Sequence, residues 1–186
     1  MRNEEKIILD LCGGSASWSQ EYSRNGYTVI LVDAKDNMDV RLFKLPLNKI
    51  YGVLAAPPCT HTAYSGARWW NGKGDAALIE ALSIADACIR LVYFTKPVFW
   101  ALEQPAGRLR DYYGEPVIKF NPYDYGDNYS KETWLWGEFN IPTPVALIDG
   151  KIDRHYIHHM PPSKNRGALR SITPSGFARA FYESNK

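Results

Sequence analysis

A chain of 186 residues and 21.1 kDa, with 45% apolar and 23% charged residues, is long enough to bury one core, and its composition argues against disordered, collagenous and coiled-coil classes. Three cysteines, Cys12, Cys59 and Cys88, without a C-x-x-C pair, argue against a disulfide framework and a thiolate zinc site and point to a reducing, cytoplasmic setting. The longest apolar stretch is broken by Lys96 and Pro97, so no membrane span is expected and no targeting segment is visible; a net charge of +2 does not by itself announce a polyanion partner.

The first half alternates short apolar runs with helical patterns, the signature of β-α-β units and a mostly parallel sheet. KIILDL reads as a buried strand, SWSQEYSRNG as a short helix closed by Gly26, and YTVILVD as a second strand ending on Asp33. YGVLAAPP is a third strand, stopped by its prolines. From about Asp75 to Thr95, Ala77, Leu78, Ala81, Leu82, Ala85, Cys88, Ile89 and Val92 share one face, which predicts a long helix with Cys88 in the core. PVFWALEQP is a further strand that delivers Glu103 to a sheet edge. VIKF and ETWLWG predict an antiparallel pair around a turn-rich segment, and TPSGFARAFYES a closing helix with Thr173 as N-cap and Pro174 in its first turn. No linker or repeat divides residues 1–186, which read as one domain; residues 138–170 read as irregular surface within a basic tail that carries Lys151, Arg154, Lys164, Arg166, Arg170 and Arg179.

DLCGGSASW places Asp10, Gly13 and Gly14 between the first strand and its helix, where an open α/β sheet binds ligands. Asp33 follows Gly13 by twenty positions, the distance at which an acid reaches a ribose hydroxyl. Ser15 and Trp18 stand where a pyrophosphate loop needs glycine, so a nucleoside cofactor without a pyrophosphate, commonly S-adenosyl-L-methionine, fits better than NAD or FAD. The plainer alternative is an ordinary strand-turn-helix glycine pair with a capping Asp.

AAPPCTHTAYSG sets Cys59 in a proline-stiffened loop at a strand end, where backbone N–H groups and partial exposure favour a thiolate nucleophile, the plainer alternative being a structural cysteine. Glu103, in an apolar setting at the end of another strand, has the surroundings that raise a carboxyl group toward general-acid use. The histidines His155, His158 and His159 have no cysteine or acid at ligand spacing, so no metal is expected; they line a basic surface. Tyr112, Tyr113, Tyr123, Tyr125 and Tyr129 are read as strand and turn packing, with base stacking as the alternative.

In this order the residues resemble the cytosine-C5 DNA methyltransferases. DLCGGSASWS is similar to that family's cofactor motif, VILVDAKD to its ribose-binding acid, NMDVR to its third cofactor segment around Asp39, PPCTHTAYSG to its proline-cysteine nucleophile loop with Pro57, and ALEQP to its catalytic Glu motif. YDYGDNYSKETWLWG resembles the paired-strand motif that normally carries Q-x-R-x-R, and RSITPSGFARAF the segment after the recognition domain. The resemblance implies a Rossmann-like class I methyltransferase fold, α/β with helices on both faces. It implies Cys59 and Glu103 as catalytic residues, and Asp10, Gly13, Gly14, Asp33, Asp39 and Pro57 around S-adenosyl-L-methionine. Ser65, Arg68, Lys73, Gln104 and Lys131 would meet DNA that presents a flipped cytosine.

The chain departs from the family pattern at Thr60, at Gln104 and at Lys131 and Thr133, which stand for Gln, Asn and two arginines. About thirty residues replace the recognition domain. Gly66, Gly72 and Gly74 are read as making SGARWWNGKG a mobile cover with Arg68 and Lys73 on phosphates and Trp69 or Trp70 packing nearby. RNA, a free pyrimidine nucleotide and a non-catalytic DNA-binding scaffold remain as alternatives, as does an unknown recognition partner.

Overall fold

The computed structural model describes residues 1–145, 151–161 and 163–186, the side chains of His158 and His159 excepted. Six strands, β1 Ile7–Leu11, β2 Thr28–Val32, β3 Ile50–Ala55, β4 Phe99–Pro105, β5 Ile118–Phe120 and β6 Thr133–Glu138, form one sheet in the order β2-β1-β3-β4-β6-β5. Neighbours among β1 to β4 pair in parallel, and β6 pairs antiparallel with both β4 and β5. The helices are α1 Gln20–Arg24, α2 Trp70–Thr95, α3 Arg110–Tyr113, α4 Tyr156–His159, α5 Arg166–Ser171 and α6 Ser175–Ser184.

The strands are apolar runs because both faces of the sheet are covered. Leu9 and Leu11 of β1 point to one side with Val53, Ala55 and Leu102, where Ala85, Cys88 and Leu91 of α2 pack. Ile8 points to the other side with Leu54, Ala101 and Leu135, beneath Tyr22 of α1 and Phe177 and Phe181 of α6. Phe177 stacks on Phe120 with ring centroids 4.1 Å apart, and Tyr125 closes on the same ring edge-on, so this tyrosine is core. Cys88 is fully buried.

β1 leads to β2 on one side, and the chain then crosses to β3 on the other. The carboxyl ends of β1 and β3 therefore flank a topological switch point, the place where open α/β sheets receive ligands.

Three local expectations are corrected. The glycine-rich cover is helical: Tyr64–Trp69 forms a 3-10 helix, and α2 starts at Trp70 and breaks at Gly74, whose φ of 69° only glycine adopts cheaply. Pro174, at ψ 134°, is itself the N-cap of α6 in place of Thr173. Within 138–170, α4 and the start of α5 stand where irregular chain is expected, and Asp153 is held to the turn before β6 by its N–H to the Asn128 carbonyl (2.8 Å) and by Ser130 N–H to its own carbonyl (3.2 Å).

Candidate active site

The loop after β1 is built around a buried acid. Asp10 is wholly buried; its Oδ2 accepts from Ser19 Oγ at 2.5 Å, and its Oδ1 has no partner among the described residues. Burial is the main cause that raises its carboxyl to about 6. The carboxylate lies so close to Gly13 that a Cβ there would meet Oδ1 at 2.1 Å, so position 13 must be glycine. Cys12, Gly14 and Ala16 all hold left-handed φ, between 53° and 58°, a concentration of strain typical of ligand clamps. Beside Gly14 the space is open for at least 4 Å.

Asp33, at the end of β2, fixes this loop by accepting from Gly14 N–H (2.9 Å) and from Lys35 N–H (2.9 Å). Each of its oxygens keeps lone-pair capacity for a further donor. An orphaned buried acceptor, an open glycine cradle and an acid at the next strand end fit a nucleoside with hydroxyl and cationic donors.

Asp39, expected among the cofactor residues, carries an ion pair of its own. Its carboxylate is taken up by Arg41, with Nη2 at 2.6 Å and Nε at 3.0 Å, and Arg41 also binds Glu80 at 2.9 Å. The Arg41 guanidinium holds the Asp39 carboxyl below its ordinary value.

Cys59 stands four residues past β3 and keeps intermediate exposure. The register pairs Ala55 with Leu102, so Glu103 follows at the neighbouring strand end. The two groups share one electrostatic environment. Burial raises the Cys59 thiol, the Glu103 charge raises it further, and Lys131 and Arg170 oppose both. Burial also raises Glu103, again opposed by Lys131. Lys131 reaches this site from the turn before β6, its Nζ donating to the Ile172 carbonyl at 3.3 Å.

Gln104 is turned into the protein. It is buried, its Oε1 accepts from Thr62 Oγ1 at 2.7 Å, and its Nε2 donates to the carbonyl of Pro57. Further contacts join the same two segments: Tyr64 N–H to Ala106 O (2.9 Å), Arg108 N–H to Thr62 O (2.9 Å), and the Arg108 guanidinium to His61 O (2.7 and 3.0 Å). Gly107 lies so near Thr62 O that a Cβ would approach to 2.3 Å. Trp70 stacks on the Arg108 guanidinium at 4.2 Å. The Cys59 loop and the Glu103 segment are thus one welded unit, and Thr62, Gly107 and Arg108 belong to it without any local sequence signal.

Lys73 is turned to the same loop, its Nζ donating to Thr60 O at 3.1 Å. Ser65 and Arg68 are exposed on the 3-10 helix, with the Arg68 guanidinium 4.9 Å from the ring of Trp69, which is 57% exposed. Tyr64, also exposed, contacts Trp70 and Trp134. An aromatic and cationic surface therefore borders Cys59. A separate cavity of about 350 Å³, lined by Tyr51, Phe99, Glu138, Asn140 and Lys186, lies at the opposite, amino edge of the parallel strands and takes no part in this site.

Among the described residues there is no cluster of three His, Cys, Asp or Glu side chains able to hold a metal, and no helix is long and apolar enough to cross a membrane. The side chains of His158 and His159 lie outside the described residues.

No family profile and no curated protein matches the chain. Among solved structures it is similar to a crystal structure of a candidate DNA modification methyltransferase encoded within an E. coli prophage, at TM-score 0.53 and 17% identity over 85% of this chain. The likeness covers 56% of that protein, so the present chain matches little more than half its length. Together with the strand order and the covered sheet, this likeness gives the chain a Rossmann-like methyltransferase fold.

Proposed function

We propose that the chain is a DNA methyltransferase that uses S-adenosyl-L-methionine to modify C5 of cytosine. One observation carries this reading: Cys59 and Glu103, from neighbouring strand ends, act on each other within a site that also holds Lys131, beside the glycine loop of Asp10. The prophage protein's description as a DNA modification methyltransferase supports the substrate class.

Asp10, Gly13, Gly14 and Asp33 would hold the donor, the open cradle at Gly14 taking the nucleoside and the Asp33 carboxylate its ribose hydroxyls. When bound, the donor supplies an electrophilic methyl group on a sulfonium.

Burial keeps Glu103 protonated to higher pH than an ordinary carboxyl, so it can donate its proton to N3 of the pyrimidine as the Cys59 thiolate bonds to C6. That bond pushes electron density onto C5, which accepts the methyl group. Loss of the C5 proton to solvent then drives out Cys59, breaking the S–C6 bond, while N3 returns its proton to Glu103. Lys131 lowers the cost of the thiolate beside the Glu103 carboxyl. The welded loop fixes the sulfur relative to the acid, which is the positioning that converts a bimolecular attack into a unimolecular one.

The test is methyl transfer from tritiated donor to unmethylated DNA, paired with covalent trapping on DNA containing 5-fluorocytosine. Wild type labels C5 and forms the trapped complex; Cys59→Ser does neither. Full transfer by Cys59→Ser overturns the mechanism, and DNA retention without transfer or trapping by wild type assigns the chain a non-catalytic binding role instead.

A further inference from the structure

The paired-strand segment presents Lys131 and Thr133 where a bidentate arginine clamp would need two guanidinium groups, and Thr133 is buried and bonded to the Lys131 carbonyl at 2.9 Å. A lysine offers a point charge and no planar fork. The structure brings a guanidinium toward Cys59 from elsewhere in the chain.

The short helix α5 and the two residues after it are pinned across the carboxyl edge of the sheet. At one side Lys131 Nζ binds the Ile172 carbonyl at 3.3 Å; at the other, Thr173 N–H donates to Ser17 Oγ in the loop after β1 at 2.9 Å. Arg170 is two residues before the first of these anchors. It is half-buried, and among the described residues no hydrogen bond or ion pair engages its guanidinium. Its positive charge is felt at the Cys59 thiol, together with that of Lys131. Glu103 is not its partner, since no ion pair joins them within 4.0 Å and the Glu103 carboxyl responds to Lys131 alone among the cations. A half-buried guanidinium without an acid is a costly arrangement unless an anion arrives.

We propose that Arg170, delivered by the C-terminal segment, is the anion clamp of this site and takes the phosphate beside the nucleotide presented to Cys59. The inference rests on the DNA-directed reading above and adds to it the residue that grips the backbone. A phosphate is favoured over the carboxylate of a methyl donor because Arg170 acts with Lys131 on Cys59, on the substrate side of the site. Lys131 supplies the second, monodentate cation.

The test uses the full chain, fluorescein-labelled cytosine-containing DNA and S-adenosyl-L-methionine. DNA affinity of wild type, Arg170→Ala and Arg170→Lys is read by anisotropy from 50 to 200 mM salt, donor affinity is read by calorimetry without DNA, and circular dichroism confirms the fold. Arg170→Ala should weaken DNA binding about tenfold and lower the slope of log affinity against log salt by about 0.7–0.9. Its donor affinity should stay within twofold. Arg170→Lys should restore the slope and only part of the affinity, because the charge returns without the fork. An unchanged slope overturns the proposal, as does a loss of donor affinity with DNA binding intact. If Arg170→Ala does not fold, Arg170→Gln gives the same readings. The salt slope is independent of turnover, so a chain that methylates DNA with the slope unmoved sinks only this inference, and one that binds DNA without methylating sinks only the enzymatic reading.

Discussion

Gln104→Met distinguishes a residue that holds the nucleophile loop from one that touches the substrate. Methionine fills nearly the same volume, so the substitution removes hydrogen bonds without opening a large cavity. Two bonds are lost, one to Thr62 Oγ1 and one to the Pro57 carbonyl, and the residue is 2% exposed, so water does not replace them. The Pro57 carbonyl is left unpaired, which costs about 1–3 kcal/mol, while Thr62 keeps its contact with the Cys59 carbonyl at 3.3 Å and loses about 1 kcal/mol. A total near 3 kcal/mol lowers the thermal midpoint of a chain of this size by about 6–12 °C. Calorimetric melting measures it, and covalent trapping on fluorinated DNA should slow in parallel because Cys59 is no longer held. Adding Thr62→Val should recover about 1 kcal/mol, since the two positions share one bond. A Gln104→Met midpoint within 2 °C of wild type, with transfer nonetheless about a hundredfold down (roughly 2.7 kcal/mol of barrier), would refute the argument and move the amide into contact with the base.

The pH-rate profile should be a broad plateau with both limbs displaced upward: the acid limb follows Glu103 and the alkaline limb Cys59, both raised chiefly by burial. Lys131→Gln removes the charge that opposes both shifts, so both limbs should move further up; steady-state rates across pH check this, and limbs that stay put contradict it. Asp10 titrates at about 6 when folded against an ordinary 3.8, so the unfolded chain releases its proton first and stability should fall as pH rises between those values and level off above them. Asp10→Asn should abolish that decline in urea melts taken across the window. Trp69 is 57% exposed, so Trp69→Ala should leave stability within about 0.5 kcal/mol yet weaken single-stranded DNA binding by about 1–3 kcal/mol if a base stacks there; anisotropy titration gives the answer.

The parts of the site that were legible in the sequence are those with local causes. KIILDL and YGVLAAPP are apolar runs stopped by a glycine pair and by prolines, so the ends that carry Asp10 and Cys59 could be placed, and PVFWALEQP placed Glu103 in the same way. The order of those strands in the sheet brought Cys59 and Glu103 together. What was hidden depends on contacts between distant segments. Gln104 reads either as a substrate residue or as one that orients the cysteine loop, and its amide bonds to Pro57 and Thr62, 47 and 42 positions away, favour the second. Arg108 has no motif around it, yet it binds His61. Three glycines made SGARWWNGKG read as a loop, and packing of Tyr64 and Trp70 against Trp134 and Arg108 overrode that weak helix propensity. The pairing of Asp39 with Arg41 did carry a local signal: Arg41 two residues on makes a turn with it, and its N–H donates to Asp39 Oδ1 at 2.9 Å.

The bonding between residues 57–64 and 104–108 constrains how this chain can diverge. The two stretches depend on each other at close quarters: Gly107 has no room for a methyl group under Thr62, and the Pro57 carbonyl depends on a side chain from the neighbouring strand. A transplant of the cysteine loop alone into a related scaffold would arrive with the Pro57, His61 and Thr62 carbonyls unanswered, whereas a graft of both stretches as a cassette carries its own scaffolding. Drift at one stretch is therefore expected to be matched at the other, so that the pair is inherited as a single module although some forty residues of helix and strand are threaded between its halves.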